Sequence, residues 1–166
     1  MSLPEDVLIN LSGENDIIKC NPRPLLQQDL IYLRRTPYSV SLKWNGTRKF
    51  LFINDARTVF VSNQYDDWEI NQQLNISGIP GNTLLDIEWI LNGTEILVFI
   101  LDALLVDNED LTQSHFIRRS EIIRKNCVFN NIYFPDIYFS HLHGNIFDLA
   151  YDLWCSYKDG SPSAFP

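Results

Sequence analysis

The stretch TLLDIEWILNGTEILVFIL, Thr83 to Leu101, constrains the fold more than any other part of the chain. Leu85, Ile87 and Trp89 recur with period two against Asp86 and Glu88, the pattern of a strand with one apolar side. Asn92-Gly93 then turns the chain into the apolar run EILVFIL, so the segment predicts a β-hairpin. A further hairpin is predicted where KFLFI, Lys49 to Ile53, is joined through NDAR to TVFVS, with Gly46 supplying the turn before it. Upstream, YSVSLK alternates: Tyr38, Val40 and Leu42 face one way, and Ser39, Ser41 and Lys43 the other. The apolar sides of YSVSLK, KFLFI and TLLDIEWI are therefore expected to form one buried sheet face. Lys43 and Glu88 are expected on the opposite face, bordering a common cleft.

Helical spacing separates and follows these strands. In NPRPLLQQDLIYLRR, Pro24 is placed to open a helix on which Leu26, Leu30 and Leu33 share a side. From about Thr112 to Lys125 the period is again helical, with Phe116, Ser120 and Ile123 on one side and Arg124 and Lys125 at the C-terminal end, where they suit the helix dipole. The segment VFNNIYFPDIYFSHLHGNIFDLAYDLW reads as a strand or two and then a helix beginning near Asn145. Antiparallel hairpins with helices inserted between and after them give an α+β class. The expected organisation is an N-terminal segment, 1–20, followed by one domain, 21–166.

A chain of 166 residues with 45% hydrophobic content can bury a core. Its 21 Asp plus Glu against 13 Lys plus Arg give a net charge of -8, which argues against sequence-independent grip on a nucleic-acid backbone. Cys20, Cys127 and Cys155 are odd in number and far apart, which suits a reducing compartment better than a disulfide framework. The N-terminus MSLPEDVLINL lacks the basic and apolar regions of a secretory leader, so the Asn-x-Ser/Thr triplets at Asn10, Asn45, Asn75 and Asn92 carry no glycan signal. No apolar run reaches the roughly 18 to 20 residues that cross a bilayer. The expectation is an intracellular protein with no membrane role. His141 and His143 form an H-x-H pair and His115 stands apart; no further ligand completes a site at metal spacing, and no metal-ligating residue is assigned.

The segment PYSVSLKWNGTRKFLFI resembles the first signature, K-x-D-G-x-R, of the covalent nucleotidyltransferases, the superfamily of mRNA capping guanylyltransferases and of DNA and RNA ligases. It is most similar to the metazoan-type capping enzymes. RPLLQQDLIYLRRTPYSVS resembles their approach to the lysine, TVFVSNQ sits where a strand of theirs carries a third signature, and GNTLLDIEWI resembles their N-T-L-L-D-G-E segment. FILDALLVDNEDLTQSHFIRRSEIIRK resembles their stretch in which an aspartate ends a strand and an arginine-bearing helix follows. The ordered match runs from about Asn21 to Lys125. It implies an antiparallel-sheet nucleotidyltransferase domain, incomplete and without the C-terminal OB domain. It also implies a GTP:RNA guanylyltransferase activity, intact or degenerate, that moves GMP from GTP through a lysine-GMP intermediate to an RNA 5′ diphosphate end.

On that resemblance Lys43 is the nucleophile, and Asn45, Gly46, Arg48 and Glu88 lie at the nucleotide. A lysine intermediate divides one difficult transfer into two easier ones, provided the amine is neutral; its ordinary pKa is about 10.4, so Arg48, a metal and partial burial must favour deprotonation. Gly46 permits a tight turn and a close approach of the backbone to the nucleotide. Mg²⁺ or Mn²⁺, GTP and an RNA 5′ end are the implied cofactor and partners, with another subunit as the source of missing elements. The compartment would be nuclear for a cellular capping protein and cytoplasmic for a viral one.

Departures from the pattern define the alternatives. Asn45 replaces an aspartate, Asn63-Gln64 replaces Asp-Arg, and Ile87 replaces the glycine of D-G-E. YKDGSPSAFP is at best a remnant of the fourth signature, and the K-x-K strand of the fifth is missing. A binding module for a guanine nucleotide or RNA cap, without covalent chemistry, is one rival, a structural subunit of a capping complex is another, and ligase ancestry with ATP is a third. Trp44 is placed either to stack on a base or to pack in the core. Arg118, Arg119, Arg124 and Lys125 either guide RNA or form a solvated helix face.

Overall fold

The computed structural model describes residues 26–35, 37–64, 67–74, 78–126, 132–135, 137–139 and 144–158. Along the chain run α1 (Asp29–Arg35), β1 (Ser39–Ser41), β2 (Thr47–Ile53), β3 (Val59–Gln64), β4 (Asp67–Ile70) and β5 (Thr83–Asn92). They are followed by β6 (Glu95–Val106), β7 (Glu109–Asp110), α2 (Phe116–Asn126), β8 (Ile132–Tyr133), β9 (Ile137–Phe139) and α3 (Ile146–Lys158). This is a mixed α+β chain whose sheets are mostly antiparallel. The described residues divide into two compact units: one holds Trp44–Phe134, the other the residues up to Lys43 and from Pro135 onward.

The first unit is built on a seven-stranded sheet in the order β4-β3-β2-β5-β6-β7, with β8 parallel to β6. Both predicted hairpins are present. β2 meets β3 with Ile53 opposite Val59, across a loop in which the Asn54 side chain accepts from Thr58 N at 2.8 Å and Arg57 takes a positive φ of 65°. β5 meets β6 with Asn92 opposite Glu95. Its two-residue loop begins with Gly93 at φ 64°, which costs a glycine little and is strained for other residues. A third hairpin, β6 to β7, turns on Asp107 and Asn108, both at positive φ (51° and 66°), as a type I′ loop requires.

The apolar sides of KFLFI and TLLDIEWI share one buried face, as expected, and the sheet is apolar on its other side as well. Leu51, Ile53, Leu85, Ile87, Val98, Ile100 and Ala103 form one cluster, joined by Ile123 of α2 and by Leu111 and Ile132. Phe50, Phe52, Trp68, Leu84 and Leu104 form a second. The physical reason is that FLFI, Phe50 to Ile53, is a continuous apolar run, so both phases of its period-two pattern are hydrophobic. Each fully buried aliphatic side chain contributes about 1.5–3 kcal/mol. A one-residue slip of β5 would exchange Leu85 and Ile87 with Asp86 and Glu88, and this fixes the register.

β1 is corrected: it is not part of the large sheet. In the second unit it pairs antiparallel with β9, Val40 opposite Tyr138, and α3 packs on it. Val40 is half-buried while Ser39 and Ser41 are exposed, so the alternation read in YSVSLK holds within a smaller sheet. Lys43 lies beyond the end of this strand.

Helix starts match the sequence reading for α3 and fall later than expected for α1 and α2. α1 starts at Asp29, whose carboxylate accepts from Leu26 N at 2.8 Å; Pro24 lies outside the described residues. α3 follows Asn145, whose side chain accepts from Phe147 N at 2.9 Å, the geometry of an N-cap. α2 begins four residues later than the helical period suggested, and of the expected inner side Ile123 is buried and Phe116 and Ser120 are half-buried. Among the described residues no helix is long and apolar enough to cross a membrane.

Candidate functional site

Four of the five residues singled out from sequence lie in the first unit, on β2 and β5 or just before them. The register of these strands sets Arg48 directly across from Glu88 and Phe50 across from Asp86. Side chains directly opposite share a face, and period two adds their neighbours two residues away. Arg48, Asp86 and Glu88 therefore project from one face of the sheet. Lys43 is exposed and belongs to the second unit, one peptide bond before Trp44. Asn45 is exposed.

Gly46 donates its backbone N–H to Glu88 Oε1 at 2.8 Å, and Glu88 is buried to 8% exposure. The chain here runs so close over β5 that a Cβ on Gly46 would lie 2.5 Å from Trp89 O and 2.7 Å from Ile90 Cγ1. Close backbone approach is thus a reason for glycine here, and the group approached is β5 rather than the nucleotide the resemblance implied.

Arg48 makes a bidentate pair with Asp86: Nε to Oδ1 at 2.9 Å and Nη2 to Oδ2 at 2.5 Å. Asp86 lies opposite Asp102 of β6, and Asp102 is held by Arg119 of α2 through Nε–Oδ1 at 2.8 Å and Nη2–Oδ2 at 2.6 Å. Two facing carboxylates are thus each capped by an arginine. Burial pushes the Asp86 carboxyl above the usual aspartate range; the hydrogen bond and charge of Arg48 oppose this, and Asp102 and Glu88 add to it. Burial prevails because the Asp86 side chain is only 9% exposed while that of Arg48 is 42% exposed and screened by water.

That asymmetry has a sign. A carboxyl whose folded pKa is raised favours the fold when protonated, so its ionisation costs nothing below the unfolded value, 3.8, and the full cost applies above the raised folded value. Asp86→Asn removes this dependence. The urea midpoint of the variant relative to wild type is expected to move in the variant's favour as pH rises through that window; a constant difference would contradict the assignment.

Aromatic rings continue the same face. Phe99, opposite Glu88, stacks on Trp44 with centroids 4.1 Å apart and an interplanar angle of 20°, and on Tyr133 at 5.2 Å. Trp44 is therefore packed against a core ring. The basic cluster on α2 is divided among separate partners: Arg119 pairs with Asp102, Arg118 with Glu109 at 2.8 Å, and Arg124 lies over Phe134. Of these only the Arg119 pair is substantially shielded, so the RNA-guiding reading loses Arg119.

Sequence reasoning did not single out Asp102 and Arg119 as a pair, nor Asp86 as a site residue. The signal for Asp102 was available: a single carboxylate in the run ILVFILDALLV requires a partner once buried. Among the described residues no group of three or more His, Cys, Asp or Glu side chains is disposed to hold a metal ion. His141 and His143, Cys20 and Cys127, and the Asp159-Gly160 pair of the fourth-signature remnant lie outside the described residues, as does the 1–20 segment.

No protein-family model matches the chain, and no curated protein matches it either.

Proposed function

We propose that this chain is a guanylyltransferase-like nucleotidyltransferase domain of the mRNA-capping type, in which Lys43 takes GMP from GTP and passes it to an RNA 5′ diphosphate end. The observation that carries this reading is the β2–β5 register. It brings Arg48 across from Glu88 and ties Gly46 to Glu88, joining the K-x-N-G-x-R and D-I-E segments that lie some forty residues apart in sequence. Spacing along the chain does not dictate that convergence.

In this reading the neutral amine of Lys43 attacks the α-phosphorus of GTP. A P–N bond forms, the bond from that phosphorus to the bridging oxygen breaks, pyrophosphate leaves with the electron pair, and the amine proton passes to solvent. An oxygen of the RNA terminal phosphate then attacks the same phosphorus, the P–N bond breaks, and Lys43 regains a proton. Arg48, oriented by Asp86, and Glu88, oriented by Gly46 N–H, position the nucleotide, which is how bound geometry lowers the barrier. The neighbouring carboxylates do not fit a resident metal, since Asp86, Asp102 and Glu88 already accept from Arg48, Arg119 and Gly46. Mg²⁺ or Mn²⁺ would instead arrive with the triphosphate, as part of the substrate. The RNA 5′ end and a second subunit carrying phosphate-binding lysines are the partners that this reading implies.

A second reading, reversible guanine-nucleotide binding without covalent transfer, is favoured by one substitution. Asn45 keeps the size of the family's aspartate but loses its charge. Calorimetry of GTP and of ATP against wild type, Asn45→Asp and Glu88→Ala tests the nucleotide face common to both readings. GTP is expected to bind wild type better than ATP does. Glu88→Ala should weaken GTP about tenfold or more, the loss typical of a hydrogen bond to a charged group. Heats near zero for all three proteins would remove nucleotide binding and leave the structural-subunit alternative.

A further inference from the structure

Two contacts on the stretch from Trp44 to Gly46 come from one cross-strand pair. Glu88 and Phe99 are opposite each other on β5 and β6. Glu88 accepts from Gly46 N at 2.8 Å, and the ring of Phe99 stacks on Trp44 at 4.1 Å. Glu88 and Phe99 are themselves buried, at 8% and 2% exposure, and Phe99 is backed by Tyr133. The holding groups are buried, while in the held stretch Trp44 is half-buried and Asn45 and Gly46 are exposed.

We infer that Phe99 and Glu88 form a clamp that fixes the backbone from Trp44 to Gly46 and, through the peptide bond to Trp44, the point from which Lys43 projects. This rests on Lys43 being the nucleophile. Trp44 is then a positioning residue: it touches neither reacting atom, but consecutive Cα atoms are about 3.8 Å apart across a trans peptide, so loosening Trp44 displaces the Lys43 backbone. A lysine has a long, flexible stem, and its amine attacks in line only if the stem starts from a fixed place. Misplacement by about 1 Å costs on the order of a hundredfold in rate.

The test compares wild type, Trp44→Ala and Trp44→Phe in two measurements. The first is the single-turnover rate of protein–GMP formation from GTP, with the GTP dissociation constant measured alongside. Trp44→Ala is expected to slow label formation by roughly tenfold to a hundredfold with little change in GTP affinity, and Trp44→Phe, which keeps a ring against Phe99, to restore most of it. Parallel losses in affinity and rate, or an alanine variant as fast as wild type, would overturn the positioning role. The second is hydrogen exchange at the Gly46 amide, which requires no labelling. Trp44→Ala should lose protection there and Trp44→Phe retain it; unchanged protection in the alanine variant would overturn the clamp. An unlabelled wild type would count against the covalent reading alone, and the exchange result would still decide the clamp.

Discussion

Gly46→Ala is expected to be among the most destabilising single-methyl changes in the chain. The new Cβ would stand 2.5 Å from the carbonyl oxygen of Trp89, and backbone in the middle of a seven-stranded sheet cannot withdraw as a flexible side-chain end would. Overpacking of this kind costs about 1–3 kcal/mol, and relief by lifting the segment would also weaken the hydrogen bond from Gly46 N to Glu88. A loss near 3 kcal/mol lowers the melting temperature of a chain this size by roughly 6–12 °C. Gly93→Ala is the control, because nothing lies within 4 Å of its Cβ and only its φ of 64° is unfavourable. That change should cost about 1–2 kcal/mol, the ordinary penalty of a left-handed non-glycine residue. Thermal or urea unfolding of both variants reads the difference. A Gly46→Ala protein as stable as Gly93→Ala would mean that the segment after Lys43 does not lie on β5.

The strands that carry the candidate site were legible because their signals are local. Period two in TLLDIEWI, the Asn92-Gly93 turn and the NDAR loop each specify a conformation within a few residues, and β2, β3, β5 and β6 follow from them. What failed was non-local or too short to have a period. β1 pairs with β9, nearly a hundred residues later, and no property of YSVSLK names that partner. β7 has two residues, so only the Asp107-Asn108 turn could have betrayed it.

The site divides in the same way. Gly46, Arg48 and Glu88 were picked out by resemblance, and the register of β2 and β5 brings them onto one side. Asp86 and Asp102 were passed over because their arginines arrive from another strand and from α2, which spacing does not reveal. Trp44 was open between base and core, and the choice needed Phe99, whose position on β6 depends on the bulges between Leu84 and Ile87.

On the proposed function the largest effect is expected at Lys43, because a covalent intermediate has no partial substitute for its nucleophile. Removing the amine leaves the Arg48, Asp86 and Glu88 contacts untouched, so Lys43→Ala should still bind GTP while forming no P–N bond. Asn45→Asp bears on the same chemistry with opposing terms. Its negative charge would favour protonated Lys43 and slow attack, whereas the family pattern implies that the anion helps to orient the nucleotide or its metal. Greater labelling of Asn45→Asp than of wild type would mean that orientation outweighs the charge on the amine.

The central claim is tested most directly by incubating the full chain with GTP radiolabelled at the α-phosphate, in Mg²⁺ or Mn²⁺, and separating the products under denaturing conditions. The account predicts a labelled protein band that is acid-labile and alkali-stable, as a phosphoramidate is, is absent with ATP, and is lost in Lys43→Ala. A band that survives Lys43→Ala, or a wild-type chain that does not label, would contradict it.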